Sequence, residues 1–161
     1  MYSNDIMLWR EVLKNAYRAA ENGEVPVGAI VVDNKKNKIV SKGWNQVNLL
    51  QDPTAHAEML AITSATTANQ TRHLSSYTVM VSLEPCIMCA GAIHWAQVKR
   101  VLYLLPDDKF GAISHHAIKH SKKDHWECIV ERPWVDPEIQ AIALEYKIFL
   151  RDYFAQLRRE A

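Results

Sequence analysis

Two short segments contain the residue types needed to hold a metal and move protons: His56-Ala57-Glu58 and Pro85-Cys86-Ile87-Met88-Cys89. Pro85 marks the opening of a helix, where proline is best tolerated. The spacing of Cys86 and Cys89 on that helix puts both sulfurs on one face. A helix start also offers free N–H groups and the positive end of the dipole, which favour the thiolate form that binds metals. Two thiolates plus the neutral imidazole of His56 make three zinc ligands. Zinc takes four, which leaves a position for water, and water on zinc ionises near neutral pH. Glu58 is the carboxylate that can take that proton and deliver it elsewhere. His56 and Glu58 are two apart, and such residues diverge on a regular helix. They converge only if His56 sits at an open first turn, which the preceding Pro53-Thr54 step allows.

Each segment alone has a blander meaning. Cys-x-x-Cys also serves redox pairs and structural zinc, and a lone histidine is more often a surface or capping residue. A structural site would need a fourth protein ligand. His94 is nearest, but it follows Cys89 by roughly 7 Å along the helix axis and on another side of it. Cys128 falls in an expected strand and reads as a small core residue. Together the two segments match the signature of zinc-dependent nucleobase deaminases.

The rest of the chain must position these groups. Its 161 residues fit one domain over 1–161, and 48% hydrophobic content is enough for a sizeable core. A net charge of +1 neither announces nor excludes a nucleic-acid partner. Three cysteines are too few for a disulfide scaffold. The first residues show neither a signal peptide nor a membrane span, so the cytoplasm is the expected compartment.

Asn4 or Asp5 caps a first helix whose apolar positions are Trp9, Val12, Leu13, Ala16 and Ala20, with a stop at Asn22-Gly23. Val27–Val32 and Ile39–Trp44 read as a hairpin of buried strands. Asp52-Pro53-Thr54 opens a helix through Ile62, with Thr54 as its cap. Further strands are expected at Thr78–Val81, Arg100–Leu104 and Glu127–Val130. Asp136-Pro137-Glu138 starts a final helix with an apolar stripe of Ile139, Ile142, Tyr146, Phe149, Tyr153 and Leu157. Alternating strands and helices imply a three-layer α/β/α sandwich around a mixed sheet. The histidine-rich stretch from Asp107 to Asp124 reads as a loop or short helix near the site.

The segments Glu24-Val25-Pro26-Val27-Gly28-Ala29, Gly43-Trp44-Asn45, Asp52-Pro53-Thr54-Ala55-His56-Ala57-Glu58 and Leu83-Glu84-Pro85-Cys86-Ile87-Met88-Cys89-Ala90-Gly91-Ala92 resemble those of the bacterial tRNA-specific adenosine deaminases. The resemblance runs from Ile6 to Asp108 and returns in the closing helix at Asp152–Arg159. It implies a cytidine deaminase-like fold with five strands, one Zn2+ per subunit and a homodimer. It also implies conversion of adenosine to inosine at the wobble position of a tRNA anticodon loop. By the same resemblance Glu58 is catalytic, and His56, Cys86 and Cys89 bind the metal. Asn45, Val27, the backbone N–H of Ala57, and Asp107 face the substrate.

The departures bear on substrate rather than chemistry. Pro106 stands where the family usually has arginine, and His115-His116 replaces small residues. Trp134 and Tyr146-Lys147 depart from the usual closing helix. A free base or nucleoside of the guanine or cytosine type is therefore the alternative substrate. Glu24-Val25-Pro26-Val27-Gly28 differs from the Gly-Gly-Pro-Phe-Gly of guanine deaminases, which favours tRNA, whereas His94-Trp95-Ala96 pulls weakly towards guanine. Lys119, Lys122, Lys123, Arg158 and Arg159 are candidate phosphate contacts. A reading of another class is a non-catalytic, zinc-stabilised RNA-binding module, against which Glu58 argues: a structural site has no use for a non-ligand acid there.

Overall fold

A computed structural model describes residues 5–113, 129–131 and 136–160. In chain order the elements are α1 (Ile6–Glu21), β1 (Gly28–Asp33), β2 (Lys38–Trp44), α2 (Val47–Leu50), α3 (Ala57–Ala68), β3 (Tyr77–Leu83), α4 (Ile87–Trp95), β4 (Arg100–Leu105), β5 (Ile129–Glu131) and α5 (Pro137–Glu160). The strands form one five-stranded sheet in the order β2-β1-β3-β4-β5. β1 is antiparallel to both β2 and β3, whereas β3, β4 and β5 run parallel, so the sheet is mixed as expected.

Strand alternation sorts the apolar residues onto two faces. Ile30, Val32, Met80, Leu102 and Leu104 point to one side, where they meet Trp9, Leu13 and Ala16 of α1 and Ile139, Ile142 and Tyr146 of α5. Ala29, Val31, Val79, Val81, Val101 and Tyr103 point to the other, against Ala57, Ala61, Ile62 and Ala65 of α3 and Ile93 of α4. The central strands are covered on both faces, which is why they read as continuous apolar runs. The three-layer α/β/α sandwich is the observed architecture.

Two glycines set how closely the layers approach. A Cβ on Gly28 would collide with the backbone of Val12 and Ala16 in α1, and one on Gly43 with the backbone of Ala57 and Ala61 in α3. Gly43 therefore seats the first turn of α3 directly on β2. Ser41 fixes the same helix further along, donating to Ala61 O at 2.7 Å.

Asp5 caps α1, accepting from Leu8 N at 3.2 Å. Asp136 caps α5, accepting from Glu138 N at 2.9 Å. Thr54 does not cap α3: its N–H and hydroxyl both donate to Asp52 Oδ1, at 2.8 and 2.7 Å. That local turn uses up the Thr54 side chain, and the helix begins only at Ala57, with His56 as its cap. Pro85 likewise precedes its helix rather than opening it, because Cys86 is the extended cap residue of α4. The short α2 has no counterpart in the periodicity. On α5, Leu157 is exposed at the end of the expected apolar stripe. Cys128, His115, His116, Lys119, Lys122, Lys123 and Trp134 lie outside the described residues.

Candidate metal centre

The site forms where two helices begin side by side beyond the strand ends. His56 and Cys86 both have extended backbones (φ −73°, ψ 155° and φ −71°, ψ 174°), so each side chain leaves from a cap position. Cys89 follows in the first turn of α4 and is fully buried. Cys86 Sγ lies 3.7 Å and Cys89 Sγ 3.6 Å from His56 Nδ1. Zinc bonded tetrahedrally to sulfur and nitrogen separates them by roughly 3.5 Å, from bonds of about 2.3 and 2.0 Å. The donor set and its spacing therefore fit one zinc ion. Among the described residues, His56, Cys86 and Cys89 are the only group of three or more candidate ligands whose donor atoms gather this closely, within 4.8 Å of one another. His94 does not join them, in keeping with its position down the helix.

The three groups are electrostatically linked. A hydrogen bond from Cys89 is the main cause that holds the Cys86 thiol down to about 3, and the same interaction pushes Cys89 well up. The hydrogen bond to Cys86 is also what raises His56. Metal binding takes both cysteines as thiolates, so it is coupled to the release of their protons.

Glu58 occupies the first turn of α3 with only 4% exposure. Burial is the main cause that pushes its carboxyl up to about 7, while its own backbone N–H, His56 and a hydrogen bond with Cys89 pull the other way. The open first turn needed for His56 and Glu58 to converge is present, because His56 lies outside the helix proper. A buried carboxyl poised near neutrality beside a metal cluster can both accept and donate a proton.

The residues expected to face substrate lie on segments hydrogen-bonded to those that carry the candidate ligands. Asn45 is buried and its N–H donates to Val27 O at 3.1 Å. The next residue, Gln46, donates to Ala55 O at 3.0 Å, which ties the end of β2 to the approach to His56. Ala57 is buried at the first position of α3, where helical N–H groups have no intrahelical partner. Asp107 is half-buried after β4, and its Oδ1 accepts from Lys109 N at 2.9 Å and Phe110 N at 3.0 Å. That oxygen organises its own turn.

Two buried carboxylates received no role from the sequence. Glu84 accepts from Asp107 N at 3.1 Å, and the adjacent Pro85 O accepts from Ala112 N at 3.0 Å. Together with a bridge between Cys86 and Gly111, these bonds dock the Asp107–Ala112 loop onto the cysteine segment. Glu24 accepts from Leu49 N at 2.8 Å and caps α2, whose Gln46 makes no side-chain cap. The only signal for either was an acid placed one or two residues before a proline at a strand end. Tyr146, singled out for its departure from the usual closing helix, is fully buried, so it does not reach RNA directly.

Residues 2–105 match the cytidine and deoxycytidylate deaminase zinc-binding region. The chain belongs to that family. It is a zinc-dependent deaminase, a hydrolase of C–N bonds in cyclic amidines. It is 48% identical over 101 residues to the tRNA-specific adenosine deaminase of Aquifex aeolicus, a match spanning 63% of this chain and 66% of that enzyme. A structure from work on A-to-I editing by tRNA:A34 deaminases superposes with a TM-score of 0.72 at 32% identity, covering 78% of this chain and 96% of that one. Guanine deaminase from Bacillus subtilis superposes with a TM-score of 0.62 at 30% identity, covering 74% and 80%. Among the described residues, no helix is long and apolar enough to cross a membrane.

Proposed function

We propose that this deaminase converts adenosine to inosine at the wobble position of a tRNA anticodon. The observation that carries the chemistry is a three-ligand cluster with the buried carboxyl of Glu58 against it. The likeness to tRNA-specific adenosine deaminases, with the Glu24–Gly28 segment leading into β1, supports the substrate.

In this reading His56, Cys86 and Cys89 hold the metal. Zinc bound there would supply Lewis acidity that lets water ionise near neutral pH. Glu58 takes the proton of the attacking water and passes it to the ring nitrogen beside the amino group. Hydroxide adds to the amino-bearing carbon. Glu58 then takes the remaining proton from the added hydroxyl, which becomes the carbonyl oxygen, and passes it to the departing nitrogen, so one water is consumed and one ammonia released. Asn45 offers its carboxamide to the nucleoside, Val27 packs against the base, and the N–H of Ala57 orients it. Asp107 borders the ribose. The base must leave its stack to reach the site. Arg158 and Arg159, exposed on the last turn of α5, are available to phosphates. The enzyme would act in the cytoplasm as a homodimer. Ile87 and Trp95 on α4, 70% and 82% exposed, supply an apolar face for a second copy.

The test is incubation of zinc-loaded protein with an anticodon stem-loop carrying adenosine at the wobble position, followed by nucleoside analysis. Inosine at that position, with no ammonia from free guanine or cytosine, is the expected result. Ammonia from a free base and no inosine would transfer the assignment to a base deaminase. Silence on every substrate from parent and Glu58→Ala alike, with zinc bound in both, would leave a structural zinc module.

A further inference from the structure

The closing helix reaches the other side of the candidate substrate wall through two hydroxyls. Tyr146 OH donates to Pro26 O at 2.6 Å and accepts from Ser82 Oγ at 3.0 Å. Ser82 Oγ in turn accepts from Gly28 N at 3.1 Å. Two helical turns further on, Tyr153 OH donates to Glu24 O at 2.9 Å. Thus α5 holds alternate carbonyls of the stretch 24–28, and Tyr146 with Ser82 holds the amide that closes it. At its start Glu24 is also tied by its N–H to Ala19 O at 3.0 Å, and at its end Gly28 enters β1, but the Pro26 carbonyl between them is held by Tyr146. The Val27 carbonyl is the acceptor that seats Asn45.

We infer that Tyr146 and Tyr153 are positioning residues that clamp the segment 24–28 and so fix Val27 and Asn45 against the substrate. This rests on the reading that Val27 and Asn45 border the substrate. Tyr146 is buried and makes both of its hydroxyl bonds within the protein, so it acts through the backbone and touches no nucleotide. Removing its hydroxyl leaves Pro26 O without that donor and frees Ser82 to rotate, and a buried acceptor stripped of its partner loosens what it held. Ring packing against the core stays intact in Tyr146→Phe, so the fold and the metal cluster on the opposite face of the sheet are preserved.

The experiment compares zinc-loaded parent, Tyr146→Phe and Tyr153→Phe by amide hydrogen exchange and by steady-state kinetics on the anticodon stem-loop. In Tyr146→Phe, exchange at Gly28 and Asn45 should accelerate roughly tenfold. The amide of Leu60, in α3, should not change. KM should rise about tenfold with kcat within a few-fold of the parent, as expected when a binding wall is loosened but the proton-transfer groups are not. Tyr153→Phe, on a part-exposed residue, should show the same pattern more weakly, and it serves if Tyr146→Phe folds poorly. Unchanged exchange at Gly28 and Asn45 in both variants overturns the clamp whatever the activity. Faster exchange with unaltered kinetics overturns its bearing on substrate. If the parent itself makes no inosine, the proposed function falls while the exchange data still decide the clamp.

Discussion

Two of the helices begin with an aspartate and two begin with a chemically reactive residue. At α1 and α5 the Asp5 and Asp136 carboxylates accept first-turn N–H groups, Leu8 N at 3.2 Å and Glu138 N at 2.9 Å. At α3 and α4 the cap positions hold His56 and Cys86, and neither side chain makes a capping bond. The first pair lies on the face of the sheet away from the candidate ligands; the second lies on the face where His56, Cys86 and Cys89 gather. A capping carboxylate would quench the free N–H groups and the dipole that favour thiolate and substrate at the second pair. The metal-side helices therefore give up a stabilising cap, and packing replaces it: Ala57, Ala61 and Ala65 of α3 and Ile93 of α4 are all buried against the sheet.

The largest effect that could break this contrast comes from the ligands. Cys89→Ala should lose stoichiometric zinc, read by elemental analysis, and with it all detectable deamination. A variant that kept both would show that the free helix starts serve something else. Next is Glu58→Gln, which keeps the shape of the first turn but cannot exchange a proton. It should retain zinc and lose about 10²–10⁴-fold in rate, the usual contribution of general acid–base catalysis. Zinc loss in that variant would make Glu58 a ligand instead.

On the packing side, Asp136→Ala removes a cap that serves two N–H groups, Glu138 N at 2.9 Å and Ile139 N at 3.4 Å. It should lower stability by about 1 kcal/mol in chemical denaturation and leave zinc content unchanged. Cys86→Ser sharpens the comparison from the other direction. Serine is a good N-cap, so the metal-free variant should be more stable than the metal-free parent by about 0.5–1 kcal/mol while binding zinc far more weakly. No gain in the metal-free state would mean that the α4 start is satisfied in some other way.

The same contrast explains what the sequence made legible. Asp5, Asp136 and the apolar periodicity of α1 are local signals, and local signals survive into the fold. The strands read correctly because both faces of the sheet are buried, with Ile30, Met80 and Leu102 on one and Val31, Val79 and Val101 on the other. Thr54 misled because Asp52 captures it in a turn, a competition between two short-range bonds that residue types alone cannot rank. His56 was legible both as a ligand and, in its blander meaning, as a capping histidine, whereas Cys86 was legible only as chemistry, since cysteine is not a good capping residue. Glu24 and Glu84 were invisible for a different reason. Acids look like surface residues until a distant backbone N–H, Leu49 or Asp107, is folded against them. The role of Tyr146 was equally hidden, because its partners Pro26 and Ser82 lie far away in the chain.

The smallest expected effect belongs to the polar link between the two aspartate-capped helices. Glu145 of α5 accepts from Arg10 at 2.6 Å and from Tyr17 OH at 2.8 Å, both on α1. The Arg10 hydrogen bond, followed by that of Tyr17, holds the Glu145 carboxyl below its ordinary value of 4.5. A depressed folded-state value means that the contribution is present above the unfolded value and disappears as pH falls through the folded one. Burial first, then Glu145, pushes Tyr17 up to about 12, so its hydroxyl remains a donor through the neutral range and its contribution fades only as pH rises towards that value. The Arg10 and Glu145 side chains are 52% and 44% exposed, and solvent screening keeps the link well under about 1 kcal/mol. Glu145→Gln should therefore cost a few tenths of a kcal/mol at neutral pH, and the difference from the parent should close as pH drops below about 4.5. Deamination measured at neutral pH should be the same in both proteins, because this exposed link joins α1 to α5 and makes no bond to the 24–28 segment that Tyr146 and Tyr153 hold. A loss of activity in Glu145→Gln without a matching loss of stability would mean that the link between α1 and α5 also sets where Tyr146 and Tyr153 hold the 24–28 segment.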